Sequence, residues 1–373
     1  MAKNIRIGFI GCGGIANQKH LPGMAMEKAS GIELVAFCDL VIERAEAACK
    51  QYGDEGAKVY TDYKELLADP TIDAVHVLTP NVAHCEISCA AMEAGKHVLC
   101  EKPMAATKED AKKMMDTRDR TGKMLTIGYQ YRHMHDHAVA KKVVEDGWLG
   151  DIYYAEATAI RRRGVPTWGV FTDKAKQGGG PLIDIATHSL DLVLWMMENY
   201  EPAVVVGASF EKLGTLLEPS QQGQISYMGG KQDPWDNKTF EVEDSAMGFV
   251  KMKNGAVIYI KCSWAINLNT PSGTGGLVTL CGTKGGLDTN DGVTINNVIA
   301  EQMSVTKVGQ KIAPYIPGFS AGAPQRSREA ELWVGALKGE NELFVKAEQA
   351  YVVTQILDAI YESNRTGKAV YFD

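Results

Sequence analysis

Ile5-Arg6-Ile7-Gly8-Phe9-Ile10-Gly11-Cys12-Gly13-Gly14-Ile15-Ala16 reads as an apolar strand that runs straight into a glycine turn and then a helix. Gly11 permits a tight turn after the strand. Gly13 lets the backbone come close to a pyrophosphate, and Ala16, the third small residue, lets the new helix pack on the strand. The helix, opening through Gly14 and Ile15, offers unpaired N–H groups and a partial positive charge to phosphates. A glycine turn alone is a weak signal, so its flanks decide. A second strand, Ile32–Cys38, ends in Asp39, and an acidic residue roughly 20–30 positions on is what a ribose diol needs as acceptor. The turn plus Asp39 predicts a dinucleotide site; the bland alternative is a plain strand-to-helix turn. The Asp39 carboxylate would repel a 2′-phosphate, and Leu40, Val41 and Ile42 supply no cation for one, although Arg44 lies close. NAD is expected ahead of NADP.

At 373 residues the chain is long for one core, and two domains are the natural expectation. Composition is that of a globular protein, with 45% apolar and 23% charged residues. A net charge of −7 argues against nucleic acid or an anionic membrane as the main partner. The first strand begins at once, leaving no room for a targeting segment, and no apolar run approaches the roughly 18 residues of a membrane span. A cytoplasmic location is the simplest expectation. The eight cysteines sit mostly in apolar patterns without a CxxC pair; they read as buried small hydrophobes, not as disulfides or a metal site.

Strand and helix alternate through the first 128 residues, and each strand is apolar along most of its length. That pattern predicts a parallel, doubly wound α/β sheet, residues 1–128, with its ligand at the carboxyl ends of the strands. In residues 129–373 two helices and a strand give way to long strands with short turns. Asn254-Gly255 marks a hairpin, and two closing helices follow, about Arg326 to Leu337 and Glu348 to Asn364. This predicts a second α/β domain with a large, mostly antiparallel open sheet. The Gly-, Gln- and Ser-rich stretch from Gly214 to Asn237 reads as a long loop.

Two clusters carry candidate chemistry. The strand ends of the first domain bear Thr79-Pro80-Asn81 with His84, and Glu101-Lys102-Pro103, placed where the sheet delivers its ligand, so Thr79, Pro80, Asn81, His84, Glu101 and Lys102 are expected to bind the cofactor. A lysine at the end of a buried strand is costly unless used; the bland reading is a surface lysine paired with Glu101. In the second domain Gly178-Gly179-Gly180-Pro181 precedes Asp184, His188 and Asp191. Spacings of four and three place these on one helical face, and the glycines let another surface approach the helix end. An imidazole set by a carboxylate is the usual general base near neutral pH; a structural or capping histidine is the equal alternative. The spacing does not make a persuasive metal set. Trp168 suits the face of a sugar ring and Arg161 and Arg163 suit hydroxyls or a carboxylate, although three successive arginines more often solvate a strand or meet another subunit.

Together these residues resemble the Gfo/Idh/MocA oxidoreductases over essentially the whole length: the glycine turn, Thr79-Pro80-Asn81 with His84, Glu101-Lys102-Pro103, and Asp184 with His188 after the glycine run. Departures are Ala16 in the last small position and the long Gly214-to-Asn237 stretch. The resemblance implies an N-terminal Rossmann domain, a C-terminal α/β domain whose open sheet makes subunit contacts, and a cis bond before Pro103. It also implies that Lys102, Asp184 and His188 are the catalytic lysine, the substrate-orienting aspartate and the proton-transferring histidine. The expected activity is NAD(P)-dependent oxidation of a sugar, glycoside or polyol. His188 would remove the hydroxyl proton, Lys102 would stabilise the alkoxide, and Asp184 would hold a neighbouring hydroxyl or fix the imidazole. Rival readings are an NAD-dependent glycosidase working by transient oxidation, and a non-catalytic nucleotide sensor, against which the retention of all three residues argues. Apolar content on both faces of strands such as the one containing Val257, Tyr259 and Lys261 predicts a homodimer, or a homotetramer built from it.

Overall fold

The computed structural model describes residues 4–217, 239–269, 277–308 and 325–373, which form two units. In the first, β1 (Ile5–Ile10) leads through a π-turn (Ala16–His20) into α1 (Leu21–Met26) and β2 (Ile32–Cys38). Then follow α2 (Ile42–Tyr52), β3 (Lys58–Tyr60), α3 (Tyr63–Leu67), β4 (Ala74–Val77), α4 (His84–Glu93), β5 (His97–Glu101), α5 (Lys108–Thr121) and β6 (Leu125–Gly128). The sheet order is β3-β2-β1-β4-β5-β6, with every pair parallel. Strand order reverses between β1 and β4, which opens a crevice at their carboxyl ends. The helices start where the sequence supplies caps: Asp62 accepts from the Lys64 N–H, and Thr107 accepts from that of Asp110.

The second unit opens with α6 (His135–Glu145) and β7 (Ile152–Ile160), then a short α7 (Lys174–Gln177). A π-turn (Leu182–Ala186) runs directly into α8 (Thr187–Met197). The strands β8 (Pro202–Phe210), β9 (Ser245–Met252), β10 (Val257–Ser263), β11 (Leu277–Gly282), β12 (Gly285–Asp288), β13 (Val293–Ile299) and β14 (Gln302–Val308) follow. After them come α9 (Gln325–Lys338), α10 (Ala347–Thr366) and β15 (Val370–Tyr371). Strand order is β14-β13-β12-β11-β7-β10-β9-β8-β15, antiparallel except where β10 lies beside β7. The hairpin expected at Asn254-Gly255 joins β9 to β10, with the Asn254 side chain accepting from the Ala256 N–H. Alternation sets the layers. Ile258, Ile260 and Cys262 face the core together with Ala155, Ala157 and Ala159, whose small side chains let α8 lie close on β7. On the opposite face Val206 and Phe249, paired in register, are 47% and 46% exposed, beside a Lys261–Glu156 ion pair.

The division differs from a break at 128/129. The first unit runs to Gln130 and also takes α9 and the residues up to Tyr351. The physical reason lies in α1, six residues long and too short to cover its side of the sheet. Ala330, Trp333 and Val334 of α9 complete that core, packing in one cluster with Ile7, Phe9, Leu21 and Met24. Of the loop read from Gly214 to Asn237, everything from 218 on lies outside the described residues. Among the described residues, no helix is long and apolar enough to cross a membrane.

Candidate active site

The glycine turn has the geometry its sequence requires. Gly11 adopts φ +97°, and a Cβ there would stand 2.5 Å from the Leu78 carbonyl oxygen. A Cβ on Gly13 would meet nothing within 4 Å, so the space in front of the turn is left open. Ala16 is fully buried against β1. Asp39 Oδ2 accepts from the Cys12 N–H (2.9 Å) and Oδ1 from that of Val41 (2.9 Å), fastening the turn to the end of β2. Across the crevice, at the end of β4, Thr79 Oγ1 is buried without a partner among the described residues. This set suits a dinucleotide: the opening amides of a helix at Gly13, Gly14 and Ile15 for the pyrophosphate, and Asp39 for a ribose.

His84 and Glu101, expected to face the cofactor, are turned inward. The His84 ring, fully buried, sits between the carbonyls of Pro103 (2.8 Å from Nδ1) and Thr79 (2.9 Å from Nε2), tying two strand ends together. Burial holds its pKa below the ordinary value, and the neutral ring this favours donates to one carbonyl at a time. Glu101 Oε1 accepts from Lys19 Nζ (3.0 Å) and pairs with His20 Nε2 (2.9 Å), while Oε2 accepts from the Lys102 main-chain N–H (3.0 Å). Burial pushes the Glu101 carboxyl up, but Lys19, the His20 hydrogen bond and Lys102 overcome this and hold it well below the usual range. Lys19 also pairs with Glu329 of α9 (2.8 Å), and His20 Nδ1 meets His76 Nδ1 at 3.1 Å. Lys102 itself is half-buried at the carboxyl end of β5, and its bond to Pro103 is cis. Pro80 is exposed and Asn81 half-buried beside it.

In the second unit, the π-turn and α8 carry Asp184 and His188, 9% and 5% exposed. The Tyr131 ring stacks on the His188 imidazole, 4.5 Å between centroids and 22° between planes. Asp191, on the same helix, has a different task. Its carboxylate accepts from Arg132 Nε (2.8 Å) and Nη2 (2.6 Å), with both residues fully enclosed at 1% and 0% exposure. Burial pushes the Asp191 carboxyl up, and the two-pronged guanidinium contact opposes it. The surface that the glycine run was expected to admit is the chain itself. A Cβ on Gly180 would lie 2.1 Å from the Glu243 carbonyl, and one on Gly179 would lie 2.1 Å from the Tyr361 hydroxyl. Arg161 donates to the Gly164 carbonyl, and Arg163 to the Arg162 and Ile266 carbonyls and to Asn267 Oδ1. These arginines therefore hold their own loop. Trp168 meets Phe171 edge-on at 5.9 Å, and Phe171 in turn meets the buried Trp264 at 6.4 Å.

The oxidoreductase-family model with an NAD-binding Rossmann fold matches residues 5–129, and that for the family's C-terminal alpha/beta domain matches residues 141–372. The chain belongs to the Gfo/Idh/MocA oxidoreductases. Family members similar to it include D-glucoside 3-dehydrogenase of Escherichia coli (strain K12), 34% identical over 98% of this chain and 97% of that one. Inositol 2-dehydrogenase of Salmonella typhimurium is 31% identical over 58% of this chain and 62% of its own. Among solved structures, levoglucosan dehydrogenase in complex with NADH and L-sorbose superposes over the full length of both chains, with a TM-score of 0.82 at 24% identity. The Gfo/Idh/MocA chain is thus an oxidoreductase with an NAD-binding Rossmann domain.

Sequence reading missed Lys19 and His20 beside Glu101 in the first unit, and Tyr131, Arg132 and Glu243 around the π-turn and α8 in the second. None left a local signal, since each is a polar residue beside another, as Arg132 is between Tyr131 and His133. Arg132→Met should cost about 3–5 kcal/mol, because it strands the Asp191 charge in the interior. Replacing both partners, Arg132→Met with Asp191→Leu, should recover most of the loss. Urea unfolding monitored by circular dichroism measures both; equal destabilisation of the single and double variants would show that the pair is not what holds α8.

Proposed function

We propose that this protein oxidises a secondary hydroxyl of a sugar, glycoside or polyol, and that a glucoside oxidised at its 3-hydroxyl is the leading substrate class. The observation that carries this reading is the His188 imidazole, nearly enclosed, stacked on Tyr131 and preceded by Asp184, in a family that pairs such a domain with an NAD-binding one. The glucoside preference is supported by the near full-length similarity to D-glucoside 3-dehydrogenase. NAD supplies the hydride acceptor at the carbon being oxidised. His188 takes the hydroxyl proton as the carbon–oxygen bond becomes a carbonyl. Lys102 stabilises the negative charge that builds on that oxygen through a charge-assisted hydrogen bond, and Asp184 grips a neighbouring hydroxyl. Polyols suit such a site because each adjacent hydroxyl offers one polar side chain a hold.

Incubating the protein with NAD and a panel of methyl glucosides, free sugars and inositols, and following reduced-nicotinamide absorbance, tests the reading. Turnover of none of them, or release of the aglycone from aryl glycosides, would overturn it. Lys102→Ala and His188→Ala should each lower turnover by about 10² to 10⁴ while leaving NAD binding intact, the range expected for loss of one acid–base or charge-stabilising group. Either variant retaining about half of normal turnover would remove that residue from the mechanism.

The half-exposed apolar residues on the outer sheet face, Val206 and Phe249 among them, support a symmetric dimer formed face to face, pairing again into a tetramer. Sedimentation equilibrium at micromolar concentration should give a mass at least twice the 40.6 kDa of the chain, and a single species at the chain mass would rule this assembly out.

A further inference from the structure

We propose that Glu243 is a positioning residue for Asp184 and His188, acting as a buried anchor at the start of the segment that carries them. This rests on the roles proposed above for those two residues. The first amides of a helix have no partner within it, and here the N-cap, Pro181, makes no side-chain capping bond. Pro181 has no N–H of its own, which leaves the amides on either side. Both go to Glu243: Gly180 N–H to Oε2 (2.9 Å) and Leu182 N–H to Oε1 (3.1 Å). The Tyr361 hydroxyl of α10 donates to the same Oε1 (2.8 Å). Two of the partners are main-chain N–H groups that can only donate, and each takes a different oxygen of the carboxyl. Burial pushes the Glu243 carboxyl up, and these three bonds pull against it.

The link to the functional residues is one bond long. Gly180 gives its N–H to Glu243, and its carbonyl accepts the Asp184 N–H at 3.0 Å, so a shift of the anchor passes directly to Asp184 and along the π-turn to His188. Glu243 is itself held in place. Its neighbour Asp244 accepts three main-chain N–H groups, from Lys212, Leu213 and Gly214, through Oδ2, and its carbonyl accepts from Trp264 and Ala265. A serine or aspartate within the helix start would satisfy the same amides at the surface. What a buried carboxylate with three fixed donors adds is a defined position, which is what a general base must have. The glycine run has its reason in the same contact, since any side chain at 180 would collide with the Glu243 backbone.

The test compares wild type, Glu243→Gln, Tyr361→Phe and His188→Ala, using methyl α-D-glucopyranoside and NAD for kinetics and hydrogen exchange of the 180–188 segment in the NAD-bound protein. Glu243→Gln keeps the volume but replaces one of the two accepting oxygens by an NH2 donor, which then opposes one of the two main-chain N–H groups. It should lower kcat about tenfold or more, leave the NAD dissociation constant within about twofold, and speed exchange in 180–188. Tyr361→Phe should shift kcat and exchange in the same direction by a smaller factor, and it decides the matter if Glu243→Gln fails to fold. Normal kcat in Glu243→Gln or Tyr361→Phe beside an inactive His188→Ala would overturn the anchor and leave the reading of His188 standing. Full turnover in His188→Ala would overturn that reading instead. Should the glucoside not be turned over, unchanged exchange in Glu243→Gln would refute the anchor and faster exchange would support it.

Discussion

The first unit depends on one buried carboxylate. Glu101 joins three pieces of chain that have no sequence proximity: the π-turn after the glycine loop, through Lys19 and His20; the end of β5, through the Lys102 N–H; and, by way of Lys19, Glu329 of α9. A charge in that position is costly unless every lone pair is used, and here the donors come from the elements that must be brought into register. The energetic requirement of the carboxylate is therefore also a positional one. The turn that follows the glycine loop and the strand end that carries Lys102 cannot move independently without leaving Glu101 short of a donor.

The second unit repeats the device with different partners. Asp191 takes a guanidinium, Asp244 takes three consecutive main-chain N–H groups, and Glu243 takes two amides and a phenol. Hydrophobic burial places α8 on the small side chains of β7, but apolar contact is non-directional and would tolerate a helix rotated or slid by a fraction of a turn. The acids remove that freedom, because their hydrogen bonds fail at a few tenths of an ångström.

This explains what was legible in the sequence. The parallel sheet, the hairpin at Asn254-Gly255 and the positions of Gly11 and Asp39 all follow from local pattern, and the structure places them as read. Residues whose meaning lies in a distant partner were not legible. Asp191 reads as a third member of the Asp184–His188 face until Arg132, far off in sequence, is seen against it. Glu101 reads as a ligand contact until Lys19 and His20 turn out to claim it. Likewise α9, read as closing the second domain, is recruited by the first because six residues of α1 cover too little. Length and periodicity locate an element, but they do not say which core lacks surface.

The helix that follows the glycine loop and the helix that carries His188 are each preceded by a π-turn, Ala16–His20 and Leu182–Ala186, a form that is rare elsewhere. The extra residue in each wide turn breaks the 3.6 period. It falls where polar side chains must enter the interior: Lys19 and His20 in one case and Asp184 in the other. A regular helix would have to spend an apolar-face position on each of these groups. Widening the turn lets the apolar residues that follow, Leu21 and Met24 in α1 and Leu190 and Val193 in α8, keep their places in the core. The irregularity is thus the local cost of combining a packed helix with a charged start, and it lies where reading from helical periodicity goes astray.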